Sequence, residues 1–315
     1  MVIVLILLCQ WSENFQRLVL LDLVRYVCGV HEDSGIPPSE ISDISEREAN
    51  TWIKYSPREI VTSKICLVEI HGGAFVGGYP RMHSDFVKLT AKKLGIKAYS
   101  LKYRLAPGMR FPYSIDHLSF LINSIPDDCD RIVLFGDSAG ATHSMFLLLL
   151  QESERFRRAM RRENAIFKKI IGLVSVCGFL DIESSSFNES SFSKIYKLIL
   201  GEFMNVNEAR FVNPCEFTSD IGRGSASVSC RENSTSTQPP ILAIDSLKSS
   251  FSHDVRAVRS TIPEIFKGQQ NAFFIYNDKK LFHNFLFNMN FQESKHAFAV
   301  FIDWINLLIK LQDTI

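Results

Sequence analysis

The chain has 315 residues, of which 46% are hydrophobic and 22% are charged, and its formal net charge at pH 7 is +1. The balanced charge gives no reason to expect nucleic acid as a partner, and the hydrophobic content excludes a largely disordered chain. Because α/β proteins of this length often form one domain with insertions, we expect a single domain over residues 1–315.

The amino terminus is apolar over its first nine residues, MVIVLILLC. In a helix these nine residues would extend about 13 Å, too short to cross a bilayer, and they lack the basic segment of a signal peptide. A weak or truncated membrane anchor, a buried strand and a buried helix all fit this stretch. Membrane association therefore stays open, as does the choice between a cytoplasmic location and one at the endoplasmic-reticulum membrane.

Strand-like and helix-like segments alternate along most of the chain. Strands are predicted at 64–70, 96–103, 131–136, 169–177, 241–245 and 272–276, and helices at 84–95, 114–125, 252–267 and 292–311, with a further long helix before residue 169. Runs of β-branched residues between amphipathic segments predict a mostly parallel sheet with helices on both faces, an α/β fold.

Two segments fall outside this alternation. Residues 178–238 are rich in Ser, Asn and Phe, which predicts an insertion above the sheet. Residues 15–27 are apolar around most of a helical circumference, so we expect another part of the chain to cover them. We predict lid elements at about 1–50 and 178–238, over a catalytic core at about 56–177 and 239–315.

A strand at 131–136 runs directly into Gly136-Asp137-Ser138-Ala139-Gly140, and an apolar helical stretch follows at once. A serine hydroxyl becomes a useful nucleophile when it is exposed, oriented and next to a base. A sharp strand-to-helix turn exposes it, and the crowding in such a turn requires glycine two residues before and two after the serine. The pattern predicts Ser138 as a nucleophile at a helix N-terminus; the alternative is that Ser138 only caps the helix.

A second glycine-containing segment, HGGAFVGG at residues 71–78, follows the first strong strand. It therefore lies at the carboxyl edge of the sheet, where open α/β sheets bind ligands. Backbone N–H groups aimed at a developing oxyanion contribute about 3–4 kcal/mol each, and Gly72 and Gly73 would let the backbone approach a substrate. The alternative is a tight turn without a catalytic role.

These motifs, together with YRLAP at 103–107 and the Phe111-Pro112 pair, resemble the hormone-sensitive-lipase-like branch of the α/β-hydrolases. That branch includes arylacetamide deacetylases and bacterial short-chain esterases. The resemblance implies an α/β-hydrolase fold with an oxyanion hole in the loop Gly72-Gly73-Ala74, formed by the amides of Gly73, Ala74 and Ala139 and braced by His71. Many relatives have a third glycine where this chain has Ala74, whose amide can still donate.

The catalytic base is expected on a loop between the last strand and the last helix. Of eight histidines, His283 alone occupies that place. The order Ser, acid, His along the chain is the one such folds use. We interpret the other candidates as packed or solvated residues of helical regions: His83, His117, His143 and His296.

The third member of the triad is less well determined by the sequence. Asp245 ends an apolar strand, and DSLK at 245–248 resembles the Asp-x-Leu-Arg element of the family. Asp254 is a second candidate. Without gaps after Pro240, the family's aspartate position falls on Ser249, which would leave His283 without a carboxylate. Asp245 could also be only a helix cap.

These residues predict a serine carboxylic-ester hydrolase for relatively apolar, short- to medium-chain acyl esters, which requires no metal or organic cofactor. Its partner would be a small-molecule ester, and the oligomeric state stays open. The alternatives are a catalytically impaired binder of small ligands and an arylamide or formamide hydrolase. Cysteine spacing argues against zinc, and Arg104 and Asp116 are expected to form structural ion pairs.

Overall fold

A computed structural model describes residues 33–62, 64–126, 128–178, 239–246, 272–276 and 281–313. Within these ranges the chain forms one eight-stranded sheet. Its strands are β1 Ser45–Glu48, β2 Trp52–Ser56, β3 Ile65–Ile70, β4 Lys97–Leu101, β5 Arg131–Asp137, β6 Lys169–Val176, β7 Ile241–Ser246 and β8 Ala272–Tyr276.

The spatial order of the strands is β1-β2-β4-β3-β5-β6-β7-β8. Strands β3 to β8 run parallel to one another. Strand β2 pairs antiparallel with both β1 and β4. The predicted mostly parallel sheet is confirmed. The parallel order brings the carboxyl ends of β3, β5, β6 and β7 to one edge, which is where the predicted site residues lie.

Helices cover both faces of the sheet. They are α1 Pro38–Ile41, α2 Ser84–Leu94, α3 Tyr113–Asn123, α4 Ala139–Glu152, α5 Glu154–Met160 and α6 Gln292–Asp313, with a 3-10 turn at Phe285–Phe287. All six residues of β3 are buried, and they alternate between two apolar cores. Val68 packs on the α3 and α4 side, whereas Leu67 packs on the α2 and α6 side. This confirms helices on both faces.

The segment between β5 and β6 departs from the single long helix that the sequence predicts. Ser153 adopts extended dihedrals between α4 and α5, and its hydroxyl accepts a hydrogen bond from Phe156 N–H at 3.0 Å. The two parts differ in burial, because α4 is buried from Ala139 to Leu150 whereas α5 buries only Phe156 and Met160. Elsewhere in the sheet, Cys66 on β3 forms a disulfide with Cys129.

The sheet begins before the predicted core, because β1 and β2 lie at 45–56. Part of the segment predicted as a lid, residues 45–48, is therefore an edge strand. The rest of the predicted lid lies largely outside the described residues, as do the apolar segments at 1–9 and 15–27 and the helix at 252–267. No helix among the residues that the structure describes is long and apolar enough to cross a bilayer.

Candidate active site

Ser138 lies at the turn between β5 and α4, with φ 49° and ψ −119°. Residues other than glycine rarely adopt this conformation, which costs on the order of 1–3 kcal/mol and is held by the surrounding structure. The Ser138 N–H donates to Val176 O at 2.9 Å, and its side chain makes no capping hydrogen bond. Ser138 is partly exposed between two buried neighbours, Asp137 and Ala139. The geometry fits an exposed nucleophile better than a helix cap.

The two glycines of the motif are required by close backbone contacts. A Cβ atom at Gly136 would lie 2.4 Å from Gly140 O, and one at Gly140 would lie 1.9 Å from Ile70 O. The turn is therefore packed directly against the end of β3. Since the oxyanion loop begins at that end, the nucleophile and the loop share one edge of the sheet.

The loop after β3 contains three consecutive residues with positive φ, namely Gly73, Ala74 and Phe75. The Gly72 N–H donates to the Asp137 carboxylate at 2.7 Å, so this amide is already engaged. Gly72, which the resemblance places in the oxyanion loop, thus holds that loop on the nucleophile turn through its own amide. The oxyanion role of the amides of Gly73, Ala74 and Ala139 stays a prediction.

His71 packs beneath the same loop. Its ring stacks on Tyr103 with centroids 4.4 Å apart, and its Nδ1 lies 2.7 Å from Gly72 O, an acceptor to which it donates. The Tyr103 hydroxyl donates to His71 O at 2.6 Å. Burial lowers the pKa of His71 to about 4, so the ring is neutral at pH 7. These contacts fit the bracing role expected of His71.

His283 lies on the loop between β8 and the 3-10 turn, as the sequence predicts for the base. Burial lowers its pKa to about 4, while the negative charge of Asp137 acts in the opposite direction. The imidazole is therefore neutral at pH 7 and able to accept a proton. The adjacent Asn284 donates through Nδ2 to Asp137 Oδ2 at 2.6 Å, which places the base loop against the nucleophile turn.

Asp137 is fully buried at the centre of this arrangement. One oxygen accepts the Gly72 N–H and lies 3.4 Å from His83 Nε2, and the other accepts the Asn284 amide. Burial alone would raise the pKa of Asp137, but the charge of the nearby His83 and the Gly72 N–H outweigh it and hold that pKa below its ordinary value. The carboxylate thus joins the oxyanion loop, the nucleophile turn and the base loop.

Sequence reasoning missed these connecting residues. The sequence places His83 only in an early helical region. In the structure His83 precedes α2, and its ring stacks on Phe287 with centroids 3.6 Å apart. No spacing rule links residues 83, 137 and 284. The available signals were an acidic residue at the end of a buried strand beside the serine, and an asparagine directly after the expected base.

Asp245 lies at the buried carboxyl end of β7, where its Oδ1 accepts the Ser246 N–H at 2.7 Å. The neighbouring β6 is followed by Cys177, whose N–H donates to Ile244 O, the residue before Asp245. Burial and then the nearby charge of Asp245 raise the pKa of the Cys177 thiol. The same sulfur accepts the Asn284 N–H at 3.3 Å. Cys177 therefore connects the candidate acid to the residue after His283. The other candidates, Asp254 and Ser249, lie outside the described residues.

The remaining histidines have other surroundings. His143 is buried edge-on to Phe75 and Tyr103, and burial lowers its pKa to about 3. His296 lies on α6, and its Nδ1 is 2.7 Å from the hydroxyl of Tyr276 on β8. His117 Nδ1 accepts the Arg104 N–H. Asp116 pairs with Arg162, just after α5, at 3.0 Å, which is the kind of structural ion pair that the sequence predicts for Asp116.

The sequence matches the alpha/beta hydrolase fold family over residues 67–285. Human hormone-sensitive lipase is 32% identical over 129 residues, which are 39% of this chain and 12% of that protein. A tuliposide A-converting enzyme from Tulipa gesneriana is 35% identical over 101 residues, 26% of this chain and 27% of that enzyme. The chain thus spans only a minor part of these relatives.

Solved structures extend the likeness to nearly the whole chain. Esterase B from Lactobacillus rhamnosis has a TM-score of 0.69 at 17% identity, covering 96% of both chains. A hyperthermophilic esterase from Pyrobaculum calidifontis has a TM-score of 0.63 at 16% identity, covering 94% of this chain and 98% of that one. At such identities the likeness shows the fold. With the family match over residues 67–285, the chain belongs to the alpha/beta hydrolase fold family.

Proposed function

We propose that the protein is a serine carboxylic-ester hydrolase in which Ser138 is the nucleophile, His283 the base and Asp245 the acid. The observation that carries the proposal is the strained, partly exposed Ser138 turn, to which the base loop is attached through Asn284 and Asp137 at 2.6 Å. A turn with only a structural role would not require a partly exposed serine whose side chain makes no capping hydrogen bond, nor its attachment to a loop that carries a histidine.

In the proposed reaction the Ser138 hydroxyl attacks the acyl carbonyl while His283 accepts its proton. The developing oxyanion receives hydrogen bonds from the amides of Gly73, Ala74 and Ala139. His283 then donates the proton to the leaving alkoxide. A water molecule, deprotonated by His283, attacks the acyl group on Ser138, and His283 returns that proton to the Ser138 oxygen as the carboxylic acid leaves. Asp245 stabilises the imidazolium; Ile244, the residue before it, accepts the Cys177 N–H, and the Cys177 sulfur accepts the Asn284 N–H of the base loop.

We propose a relatively apolar ester of short to medium acyl length as the substrate. The sequence supports an apolar substrate through four phenylalanines of the predicted insertion, Phe179, Phe187, Phe192 and Phe203, which lie outside the described residues. The Lactobacillus esterase B is inhibited by a tributyrin phosphonate, which is an analogue of a C4 ester. Butyrate is therefore the first acyl group to test on this chain.

Turnover of p-nitrophenyl esters from C2 to C16 tests this proposal. We expect kcat/KM to peak between C2 and C8, and Ser138→Ala and His283→Ala to abolish turnover while His296→Ala retains it. Unchanged hydrolysis in Ser138→Ala would refute the assignment. A wild type without activity on esters would favour the ligand-binding alternative, and activity on acetanilides alone would favour the amidase alternative.

A further inference from the structure

We infer that Asn284 is a positioning residue for the proposed reaction, because its side chain anchors the loop that carries His283 to the carboxylate beside Ser138. The inference rests on the proposed function, since it concerns how the proposed base and nucleophile are held together. It goes beyond the triad and the oxyanion hole by assigning a role to a residue that neither includes.

Asn284 is held at two points that belong to different strands. Its Nδ2 donates to Asp137 Oδ2 at 2.6 Å at the end of β5, and its backbone N–H donates to Cys177 Sγ at 3.3 Å after β6. The two contacts join positions that are 147 and 107 residues apart in the sequence. Because both the backbone and the side chain of Asn284 are fixed, the position of the preceding His283 is fixed with them.

The contact with Asp137 is the stronger of the two. Asp137 is fully buried and its pKa is held below the ordinary value, so the amide donates to an ionised carboxylate in a region of low dielectric constant. The Gly72 N–H is bound to the other oxygen of the same carboxylate. One buried charge therefore sets the distance between oxyanion loop, nucleophile and base, a geometry on which catalysis depends steeply.

The backbone of Asn284 restricts which substitution can test this role. Its φ of 62° and ψ of 27° lie in the left-handed region, which asparagine and glycine tolerate better than other residues. Asn284→Ala would combine loss of the amide with backbone strain. Asn284→Gly keeps the backbone conformation and removes the amide alone, so it is the informative variant.

Asn284→Asp adds a signature that a merely structural role would not produce. When protonated, its carboxyl can donate to Asp137; when ionised, it repels Asp137. The ionisable groups that face Asp137 are His83, His71, Glu69, Cys177 and His283. All of these groups are present in the wild type as well. The ratio of the activity of Asn284→Asp to that of the wild type therefore reports the titration of the new carboxyl.

The experiment measures kcat and KM for p-nitrophenyl butyrate between pH 5 and 9. We expect Asn284→Gly to lower kcat about 10- to 100-fold with little change in KM. The activity of Asn284→Asp relative to wild type should fall as pH rises, while that of Asn284→Gly stays constant. Asn288→Ala is the matched control, because it removes an amide from the same segment. Within the described residues, the Asn288 Oδ1 accepts the local Asn290 N–H and no other hydrogen bond.

The outcomes separate this inference from the proposed function. If the wild type is active and Ser138→Ala is not, a kcat of Asn284→Gly within twofold of wild type overturns the role of Asn284 and leaves the esterase standing. A pH-independent ratio for Asn284→Asp overturns it as well, and decides the matter if the glycine variant does not fold. If Asn288→Ala and Asn284→Gly lowered kcat equally, the cause would be a general loosening of the loop. This result would also overturn the positioning role of Asn284.

Discussion

Ser138, His283 and Asp137 illustrate how single residues acquire their chemistry from burial and neighbours. The sequence identifies Ser138 and His283 because each stands in a recognisable place, a glycine-flanked turn and a loop before the last helix. Asp137 stands in the same pentapeptide, but its three partners come from residues 72, 83 and 284, which only the folded chain brings together. Motifs predict the reacting groups, whereas the groups that hold them require the tertiary structure.

The pKa of His283 predicts the pH dependence of turnover. An unperturbed histidine would limit activity below about pH 6.5. Because burial lowers the pKa of His283 to about 4, the neutral base is present well below that value, and kcat/KM should stay near its maximum down to about pH 5. Initial rates in buffers of constant ionic strength measure this. An acidic limb centred at 6.5 would contradict a lowered pKa of His283.

At the scale of elements, the ends of adjacent parallel strands carry the site, and the edge of the sheet escapes prediction. The central strands read as apolar runs because both faces are buried, so their positions follow from the sequence within one or two residues. Strand β1, with the sequence SERE and all four residues exposed, has no apolar pattern. It forms because it pairs with β2, a contact that local sequence does not encode.

The acid at the end of β7 is open to a direct test. If Asp245 stabilises the His283 imidazolium, Asp245→Asn should lower kcat about 10⁴-fold, as the equivalent change does in a serine protease. Asp254→Asn serves as the control and should cost little. A small effect of Asp245→Asn, combined with faster turnover in Ser249→Asp, would move the acid position to residue 249.

Glu69 on β3 predicts a pH dependence of folding stability. Burial raises its pKa to about 7, with the charge of His83 opposing the shift. Between pH 4.5 and 7 the folded protein keeps a proton that the unfolded chain releases, so the free energy of unfolding should fall as pH rises through this window, by roughly 3 kcal/mol.

Glu69→Gln should remove that dependence and make the protein more stable than wild type at pH 8. Urea unfolding at pH 5 and pH 8 measures both quantities, and Glu59→Gln, at an exposed position, is the control. A Glu69→Gln protein whose stability still falls by the same amount over this interval would assign the dependence to another group.

At the scale of the whole molecule, the fold, the family and the position of the site could all be predicted, since parallel strands bring separate motifs to one edge. The bridging residues could not, because Cys177, Asn284 and His83 act through contacts between distant segments. Gly72 shows the same limit, since its glycine-rich motif does not reveal that its amide is bound to Asp137.

The central claim, an activated serine at position 138, is tested most directly by covalent labelling with a fluorophosphonate probe followed by peptide mass analysis. The reaction requires a nucleophilic serine with its base and is independent of the physiological substrate. We expect one equivalent of probe on the peptide containing Ser138, no labelling in Ser138→Ala, and strongly reduced labelling in His283→Ala. A folded wild type that remains unlabelled, or that is labelled at another serine, would contradict the account.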